Sequence, residues 1–361
     1  MNGRRGGIFW PTLGKPVLGY LQTEPGLQAG WYFLVAQNWQ TYFGSTHAAA
    51  VCTALFAVHR RDAHWTCDVG IGRRRCARRL ARLVRCARER REARDRLDMA
   101  GSGPVDRDGN LPGLRNDSLK LLARGLADRG IASLRIDKRG VGRSRTAEMR
   151  EDDVRIKTYV DDAVGWLAFL RARPNAVQIF ILGHSEGALI ATLAAEQADV
   201  AGLILVAGAG EPAGKIIARQ LSDAGVPDHL QDASKRISES LARGVPVSDV
   251  PPELLALYRS SVQPYLISWL PLDPAAELAE IAVPVLIVQG THDLQIGVGD
   301  AQRLAAAKAN SGLVIIAGMN HVLRQAPKER AANFAIYSAF DKPLAPDLVP
   351  AIASFIEAQA R

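Results

Sequence analysis

Short apolar runs alternate with amphipathic segments from about residue 100 to the end of the chain. Five of these runs are rich in aliphatic residues and lack polar alternation, which is typical of parallel strands covered on both faces. They are residues 131–136, 177–182, 203–206, 285–288 and 313–316. Residues 118–129 and 159–171 show the spacing of amphipathic helices. The pattern predicts an α/β fold with a doubly wound, mostly parallel sheet.

Residues 211–272 interrupt this alternation with helical patterns, several prolines and no clear strand. Because they lie between two predicted strands, we expect a helical insertion over the C-terminal edge of the sheet, where open α/β folds bind ligands. Such an insertion would form a lid or part of a substrate pocket. The sequence therefore predicts an α/β domain over residues 100–361 that carries this cap.

The first 99 residues have a different composition from the rest of the chain. They carry 17 Lys and Arg against 7 Asp and Glu, and they hold all four cysteines (Cys52, Cys67, Cys76 and Cys86). The formal net charge of +8 therefore comes from this segment, since the remainder is slightly acidic. No apolar run is long enough for a transmembrane helix, and the N-terminus shows no convincing secretory signal. We expect a cytoplasmic protein.

Arginine makes up about half of residues 73–96, and three interpretations of this basic segment stay open. It would be a basic helix that binds nucleic acid or an acidic membrane, a solvated appendage without a role, or the product of a shifted reading frame in a GC-rich gene. No aromatic residues interleave the arginines for base stacking, so we expect no nucleic-acid partner. The frame hypothesis predicts an apolar strand in another frame of the DNA, ending next to Ala100.

The charged residues 88–98 directly precede the first glycine-rich loop of the predicted domain. We expect that residues 88–98 do not form a buried strand of the sheet, because so many unpaired charges in a sheet interior would cost more free energy than the strand gains.

Residues 183–187 read Gly-His-Ser-Glu-Gly, between a predicted strand and a helix-favouring apolar run. A strand, Gly-x-Ser-x-Gly and a helix form the context of a nucleophile elbow, in which small residues must flank the sharp turn. The N-terminal amides of the helix favour a developing negative charge at the same point. Ser185 is therefore the candidate nucleophile. The alternative is a plain N-cap serine, which would need no small neighbours.

Asp293 and His321 each follow one of the later predicted strands. The order Ser, Asp, His, with each residue at the C-terminal end of its strand, would bring the three side chains to one edge of the sheet. A serine hydroxyl needs a base to take its proton, and the base needs a carboxylate to orient it. Glu211 is the rival acid, and ordinary loop roles for Asp293 and His321 are the alternatives.

A tetrahedral intermediate would also need two backbone amides that bind its oxyanion. The residue after the nucleophile, Glu186, supplies the first candidate. The second is Ser102, with Gly103 as the next choice, in the glycine-rich residues 100–104. A flexible Gly/Ser turn is the alternative interpretation of that loop.

Three motifs occur in a fixed order: Gly-Ser-Gly-Pro-Val-Asp-Arg-Asp-Gly-Asn at 101–110, Asp-Lys-Arg-Gly-Val-Gly-Arg-Ser at 137–144, and the elbow at 183–187. With them, residues 100–361 resemble the α/β-hydrolases, in the subgroup of bacterial esterases and serine-aminopeptidase-like hydrolases. The resemblance implies a Ser–His–Asp hydrolase with a helical cap and with no metal or organic cofactor.

Two of these motifs are expected to be structural. Asp106, Arg107 and Asp108 would tie the oxyanion loop together by charge-assisted hydrogen bonds. The loop 137–144 would shape a turn rather than react.

The residues and the resemblance together predict a serine hydrolase that cleaves acyl esters through a covalent acyl-enzyme. A carboxylesterase for short or medium acyl groups on a small-molecule substrate fits best, and thioesterase or aminopeptidase activity on the same fold is the alternative. A different class stays open as well: a basic binder of nucleic acid or membrane surfaces whose hydrolase-like body is inert. The sequence does not determine the oligomeric state.

Overall fold

One parallel sheet runs through the computed structural model, which describes residues 67–69, 93–146, 149–173 and 176–359. Its strands in chain order are β1 (Cys67–Val69), β2 (Ala93–Met99), β3 (Ile131–Ile136), β4 (Ala176–His184), β5 (Gly202–Val206), β6 (Val285–Gly290) and β7 (Gly312–Ile316). They lie in the order β1-β3-β2-β4-β5-β6-β7, and every neighbouring pair is parallel. The five strands predicted from apolar runs are confirmed.

Helices follow the strands as the amphipathic patterns predict. In chain order they are α1 (Ser118–Ala127), α2 (Ile156–Arg171), α3 (Glu186–Ala195), α4 (Ala213–Asp223), α5 (Asp228–Ala242), α6 (Leu255–Tyr258), α7 (Gln263–Trp269), α8 (Pro274–Ala279), α9 (Val298–Ala307), α10 (Arg330–Ala335) and α11 (Leu348–Ala358). Helices α4 to α7 occupy the predicted insertion between β5 and β6. The described part of that interval contains no strand.

Apolar cores on both faces of the sheet explain why the strands lack polar alternation. Along β4, Ile179 and Ile181 point into a core shared with α2 and α3. Phe180 and Leu182 point into the opposite core, which α1 and α11 cover. Since successive residues of a strand face opposite sides, a strand covered on both faces must be apolar throughout. The doubly wound α/β architecture is therefore confirmed.

The expectation that residues 88–98 contain no buried strand is wrong. Residues 93–99 form β2, which pairs with β3 on one side and β4 on the other. Backbone hydrogen bonding does not depend on the side chains, and two buried charges of β2 pair with each other, since Arg96 Nη2 donates to Asp98 Oδ2 at 2.7 Å. Arg96 also donates to Ser133 Oγ at 3.0 Å. The sheet thus extends across the boundary predicted at residue 99.

Most of the basic segment predicted over residues 1–99 lies outside the described residues, which include only 67–69 and 93–99 of it. Cys52, Cys76 and Cys86 fall in the part that is not described. The interpretation of this segment as a binder of nucleic acid or membrane stays a prediction. Across the described helices, none combines the length and the apolar character needed to cross a membrane.

Asp95 of β2 gives a prediction about stability and pH. Burial raises the pKa of its carboxyl from 3.8 to about 6, against the opposing attraction of Arg173. Between pH 3.8 and pH 6 the folded state therefore keeps a proton on Asp95 that the unfolded state has released. Ionisation of the buried carboxyl destabilises the fold by its full amount above pH 6 and not at all below pH 3.8. We expect Asp95→Val to raise the free energy of unfolding at pH 7 by about 1–3 kcal/mol. The gain should shrink at pH 4.5.

Urea denaturation of both proteins at the two pH values measures this difference. Asp199→Val is the matched control, because the Asp199 side chain is 89% exposed. Its effect should stay within about 0.5 kcal/mol at either pH. A loss of stability in Asp95→Val at pH 7 would contradict the account of a costly buried charge.

Candidate active site

Strand β4 ends in a sharp turn that carries Ser185 into helix α3. Ser185 has φ 57° and ψ −124°, which a residue other than glycine rarely adopts. Its amide donates to the carbonyl of Val206 at 3.0 Å. A Cβ on Gly183 would overlap the carbonyl of Gly187, and a Cβ on Gly187 would overlap the carbonyl of Met99. The predicted need for small residues on both sides of the serine is confirmed by this packing.

Asp293 and His321 meet beyond the ends of β6 and β7. His321 Nδ1 lies 2.8 Å from Asp293 Oδ2, and the two side chains are 5% and 0% exposed. Burial raises the pKa of Asp293, but the attraction and hydrogen bond of His321, with the amides of Gln295 and Ile296, more than offset burial and hold the pKa below its usual range. Asp293 is therefore an ionised carboxylate at neutral pH that orients the imidazole.

Two backbone amides next to Ser185 lack acceptors. Ser102 and Glu186 line the same cavity as Ser185. Among the described residues, neither the Ser102 amide nor the Glu186 amide donates a hydrogen bond to another group. Glu186 is the first residue of α3, where helix geometry leaves the amide free. Unpaired donors beside a serine are suited to a developing oxyanion.

Comparison with known proteins adds to this geometry. Residues 116–264 match the family model described as "Serine aminopeptidase, S33". Esterase EstD of Thermotoga maritima is 25% identical over 232 residues, which cover 62% of this chain and 53% of the esterase. In this match and in its fold the chain is similar to the α/β-hydrolases. It spans about half the length of this curated relative, and the family match includes Ser185 but ends before Asp293 and His321.

Two solved structures match this chain at low sequence identity. Est1E from Butyrivibrio proteoclasticus has 16% sequence identity and a TM-score of 0.47, over 76% of this chain and 90% of its own. Proline iminopeptidase from Mycobacterium smegmatis has 14% identity and a TM-score of 0.46, over 74% of this chain and 92% of its own.

The loop at residues 101–110 is tied together as its acidic and basic residues predict. Asp106 Oδ1 accepts from the amides of Asp108 and Asn110, both at 2.8 Å. The Arg107 amide donates to Asp137 Oδ1 at 2.8 Å, and the Arg107 guanidinium pairs with the same carboxylate. The motifs at 101–110 and 137–144 therefore hold each other, which confirms their expected structural role.

A cavity of about 180 Å³ opens beside Ser185. Its wall is largely apolar, and much of it comes from the helices between β5 and β6. The apolar side chains from these helices and their connections are Ile216, Ile217, Leu257, Val262, Leu266 and Trp269. Such a wall suits an apolar group of a ligand, while the polar atoms converge near Ser185.

Glu211 forms ion pairs that are separate from the pair of Asp293 and His321. Glu211, the rival acid, pairs with Lys215 at 3.3 Å and Arg219 at 3.5 Å, and it has no hydrogen bond to His321. Nowhere in the described part of the chain do three or more His, Cys, Asp or Glu side chains gather as a metal site requires. Of the two acids that the sequence offers, the structure brings Asp293 and not Glu211 to His321.

His184 supports His321 from within the elbow. Its Nε2 lies 2.9 Å from the carbonyl oxygen of His321, and the two ring centroids are 4.8 Å apart. Burial, and then the proximity of His321, lower the pKa of His184 to about 3, so its imidazole is neutral. The neutral ring donates its Nε2 proton to the carbonyl and fixes the backbone of the loop. In the sequence, His184 stands out only as part of the Gly-His-Ser-Glu-Gly motif.

Gln289 is a second residue near the site that the sequence analysis misses. Its Nε2 donates to Asp293 Oδ2 at 3.2 Å and to the carbonyl of Ile296 at 2.9 Å. It is fully buried near the end of β6. A polar residue inside an apolar strand, four positions before the candidate acid, is the signal that would have found it.

Ser185 and His321 are not hydrogen-bonded to each other among the described contacts. Gly101 packs closely on the elbow, since a Cβ there would lie 3.2 Å from the Ser185 Cβ. Contacts between a nucleophile and its base are commonly looser without substrate. The structure therefore joins His321 to Asp293 and gathers Ser185, Ser102 and Glu186 around one cavity.

Proposed function

We propose that this protein is a serine hydrolase of the α/β-hydrolase type that cleaves acyl esters of small molecules, most simply as a carboxylesterase. One observation carries the proposal: Ser185 is held on a strained elbow beside two unpaired amides, at the wall of an apolar cavity. The hydrogen-bonded pair of Asp293 and His321 supports it. The relative's name, Esterase EstD, agrees with this substrate class.

The reaction follows from the positions of these groups. Ser185 Oγ attacks the ester carbonyl carbon while His321 Nε2 takes the hydroxyl proton. Asp293 accepts the Nδ1 hydrogen of His321 and stabilises the imidazolium, and the amides of Ser102 and Glu186 bind the oxyanion. Collapse breaks the bond to the alcohol oxygen, which His321 protonates. Water repeats the sequence and releases the acid, so no step needs a metal ion or an organic cofactor.

In this proposal the helices between β5 and β6, within residues 211–272, form a cap. They supply much of the apolar wall, and this wall would receive the acyl chain or the alcohol portion of the substrate. Substrate preference would therefore follow from the cap rather than from the elbow.

The alternative functions differ in which substrate the purified protein would hydrolyse with the highest kcat/KM. We expect p-nitrophenyl butyrate to give a higher kcat/KM than butyryl-coenzyme A or an aminoacyl p-nitroanilide. Faster cleavage of the thioester or the anilide would identify a thioesterase or an aminopeptidase. A folded chain that cleaves none of them, but binds nucleic acid or acidic vesicles with strong salt dependence, would support the binder class instead.

A prediction about chain length tests the cap. Leu257 of α6 lines the cavity and is only partly buried, so a larger side chain fits there at the expense of cavity volume. We expect Leu257→Trp to lower kcat/KM for p-nitrophenyl octanoate by about 10-fold or more, with a much smaller effect on the acetate. Steady-state kinetics on esters of two to eight carbons measures the change.

Leu255→Trp is the control for this variant. Leu255 lies on the same helix but is 40% exposed and does not line the cavity. Its chain-length profile should match that of the parent protein. Equal profiles for both tryptophan variants would show that this cavity does not receive the substrate.

A further inference from the structure

We propose that Lys138 is a positioning residue that orients both amides of the oxyanion hole. The inference rests on the proposed function and adds a residue to it. Lys138 follows β3, in the motif at 137–144, and its side chain is 1% exposed. Its Nζ donates to the carbonyl oxygen of Gly101 at 2.5 Å and lies 3.1 Å from Glu186 Oε2. These two residues belong to the two halves of the oxyanion hole.

The contact with Gly101 acts on Ser102 through one peptide group. The carbonyl of Gly101 and the amide N–H of Ser102 belong to the same planar unit, and in a trans peptide they point in opposite directions. Holding the carbonyl towards Lys138 therefore fixes the direction of the Ser102 N–H. A cation on the carbonyl oxygen also polarises the peptide and strengthens the N–H as a donor.

The contact with Glu186 acts on the second amide. Glu186 starts α3, and its carboxylate is held by Lys138 on one oxygen and by the Tyr265 hydroxyl on the other. Fixing this side chain fixes the first turn of the helix, whose free amide faces the nucleophile. Since Tyr265 belongs to α7, the same contacts join the cap to the oxyanion hole.

Burial makes this arrangement sensitive to substitution. The side chains of Lys138 and Glu186 are 1% and 2% exposed, and the Lys138 Nζ also lies 5.1 Å from the centre of the Tyr159 ring. A buried ammonium is tolerated only where its charge is paired and its donors have acceptors. Here the acceptors are the Gly101 carbonyl and the Glu186 carboxylate, which position the two amides of the oxyanion hole. The pair of Lys138 and Glu186 therefore does more than stabilise the fold.

Ester hydrolysis by Lys138→Met, Lys138→Arg and the double variant Lys138→Met/Glu186→Gln tests the proposal. The double variant removes both charges, so that no buried carboxylate stays unpaired, and circular dichroism checks that each variant is folded. We expect kcat to fall by roughly 100-fold in the methionine variants with KM within about threefold, and Lys138→Arg to recover part of the loss. Affinity for a trifluoromethyl ketone, which forms a tetrahedral adduct on serine, should fall in parallel with kcat/KM.

The control is Asp95→Val/Arg173→Met, which removes another pair of β2 at the end of the strand away from the elbow. It should change stability but leave kcat unaltered. A folded double variant at Lys138 and Glu186 with parental kcat, or one with a change in KM alone, would overturn the positioning role and leave the hydrolase proposal intact. A parent chain without any turnover would overturn both.

Discussion

Ser185→Ala is expected to lower kcat/KM for p-nitrophenyl butyrate by roughly four to six orders of magnitude. The variant lacks the side-chain oxygen that attacks the ester in the mechanism, while the elbow, the two amides and the cavity stay in place. Alanine also fits the turn, because its side chain is smaller than that of serine. Circular dichroism and the midpoint of thermal unfolding should therefore stay close to those of the parent protein.

Ser338→Ala is the matched control for this substitution. Ser338 is exposed, donates to the carbonyl of Ala335 at 3.4 Å and lies outside the cavity lining. Its rate should equal that of the parent within error. If Ser185→Ala also keeps more than a tenth of the parental rate, Ser185 is not the nucleophile.

Asp293→Asn is expected to lower kcat by roughly three to four orders of magnitude with a small effect on KM. Asp293 Oδ2 faces His321 Nδ1 at 2.8 Å, and Oδ1 accepts from the amides of Gln295 and Ile296. Those two amides hold the oxygen of an introduced asparagine, so that its NH₂ group faces His321. The imidazole would then carry its proton on Nε2 and would not act as a base.

Glu211→Gln provides the comparison for the acid. Glu211 lines the same cavity but pairs with Lys215 and Arg219 rather than with His321. We expect its kcat to stay within about fivefold of the parental value. A larger loss in Glu211→Gln than in Asp293→Asn would reassign the acid to Glu211.

Much of the fold could be predicted because burial on both faces of the sheet leaves a pattern of apolar residues within each strand. Strands such as β4 are covered on both faces, so their residues must be apolar irrespective of where the strand lies. The elbow could be predicted for a similar reason. A Cβ on Gly183 or Gly187 would overlap backbone atoms because of the turn itself. The requirement for glycine is therefore visible in the residues next to Ser185.

Strand β2 could not be predicted, because its identity depends on partners distant in sequence. Arg96 lies in the interior of the sheet, where its guanidinium donates hydrogen bonds to Asp98 and to Ser133 of β3. Ser133 is 37 residues away in the sequence. Asp95 pairs with Arg173 beyond the end of α2. Local composition reveals the charges but not these neighbours.

The same limit applies to Lys138. The motif at 137–144 indicates a structured turn, and nothing in its spacing shows that the ammonium reaches Gly101 and Glu186. Tyr265, which completes the contacts, lies 79 residues after Glu186 in the chain. Contacts of this range come from the packing of the whole domain.

Strand β2 also bears on the hypothesis of a shifted reading frame, which stays a prediction. Asp95 Oδ1 and Arg96 Nη1 are buried and have no hydrogen-bond partner within the described residues. Unpaired polar atoms of this kind cost free energy in a sheet interior. Another frame of the gene is expected to encode an apolar strand that ends next to Ala100, and sequencing the gene tests this directly.

The central claim is that Ser185 forms a covalent acyl-enzyme, and intact mass spectrometry after incubation with a fluorophosphonate tests it most directly. The serine oxygen would form a bond to phosphorus as fluoride leaves, and we expect one adduct per chain, mapped by peptide analysis to residues 183–187 and absent from Ser185→Ala. An adduct of equal yield on Ser185→Ala, or an esterase-active parent chain that stays unlabelled, would contradict the account.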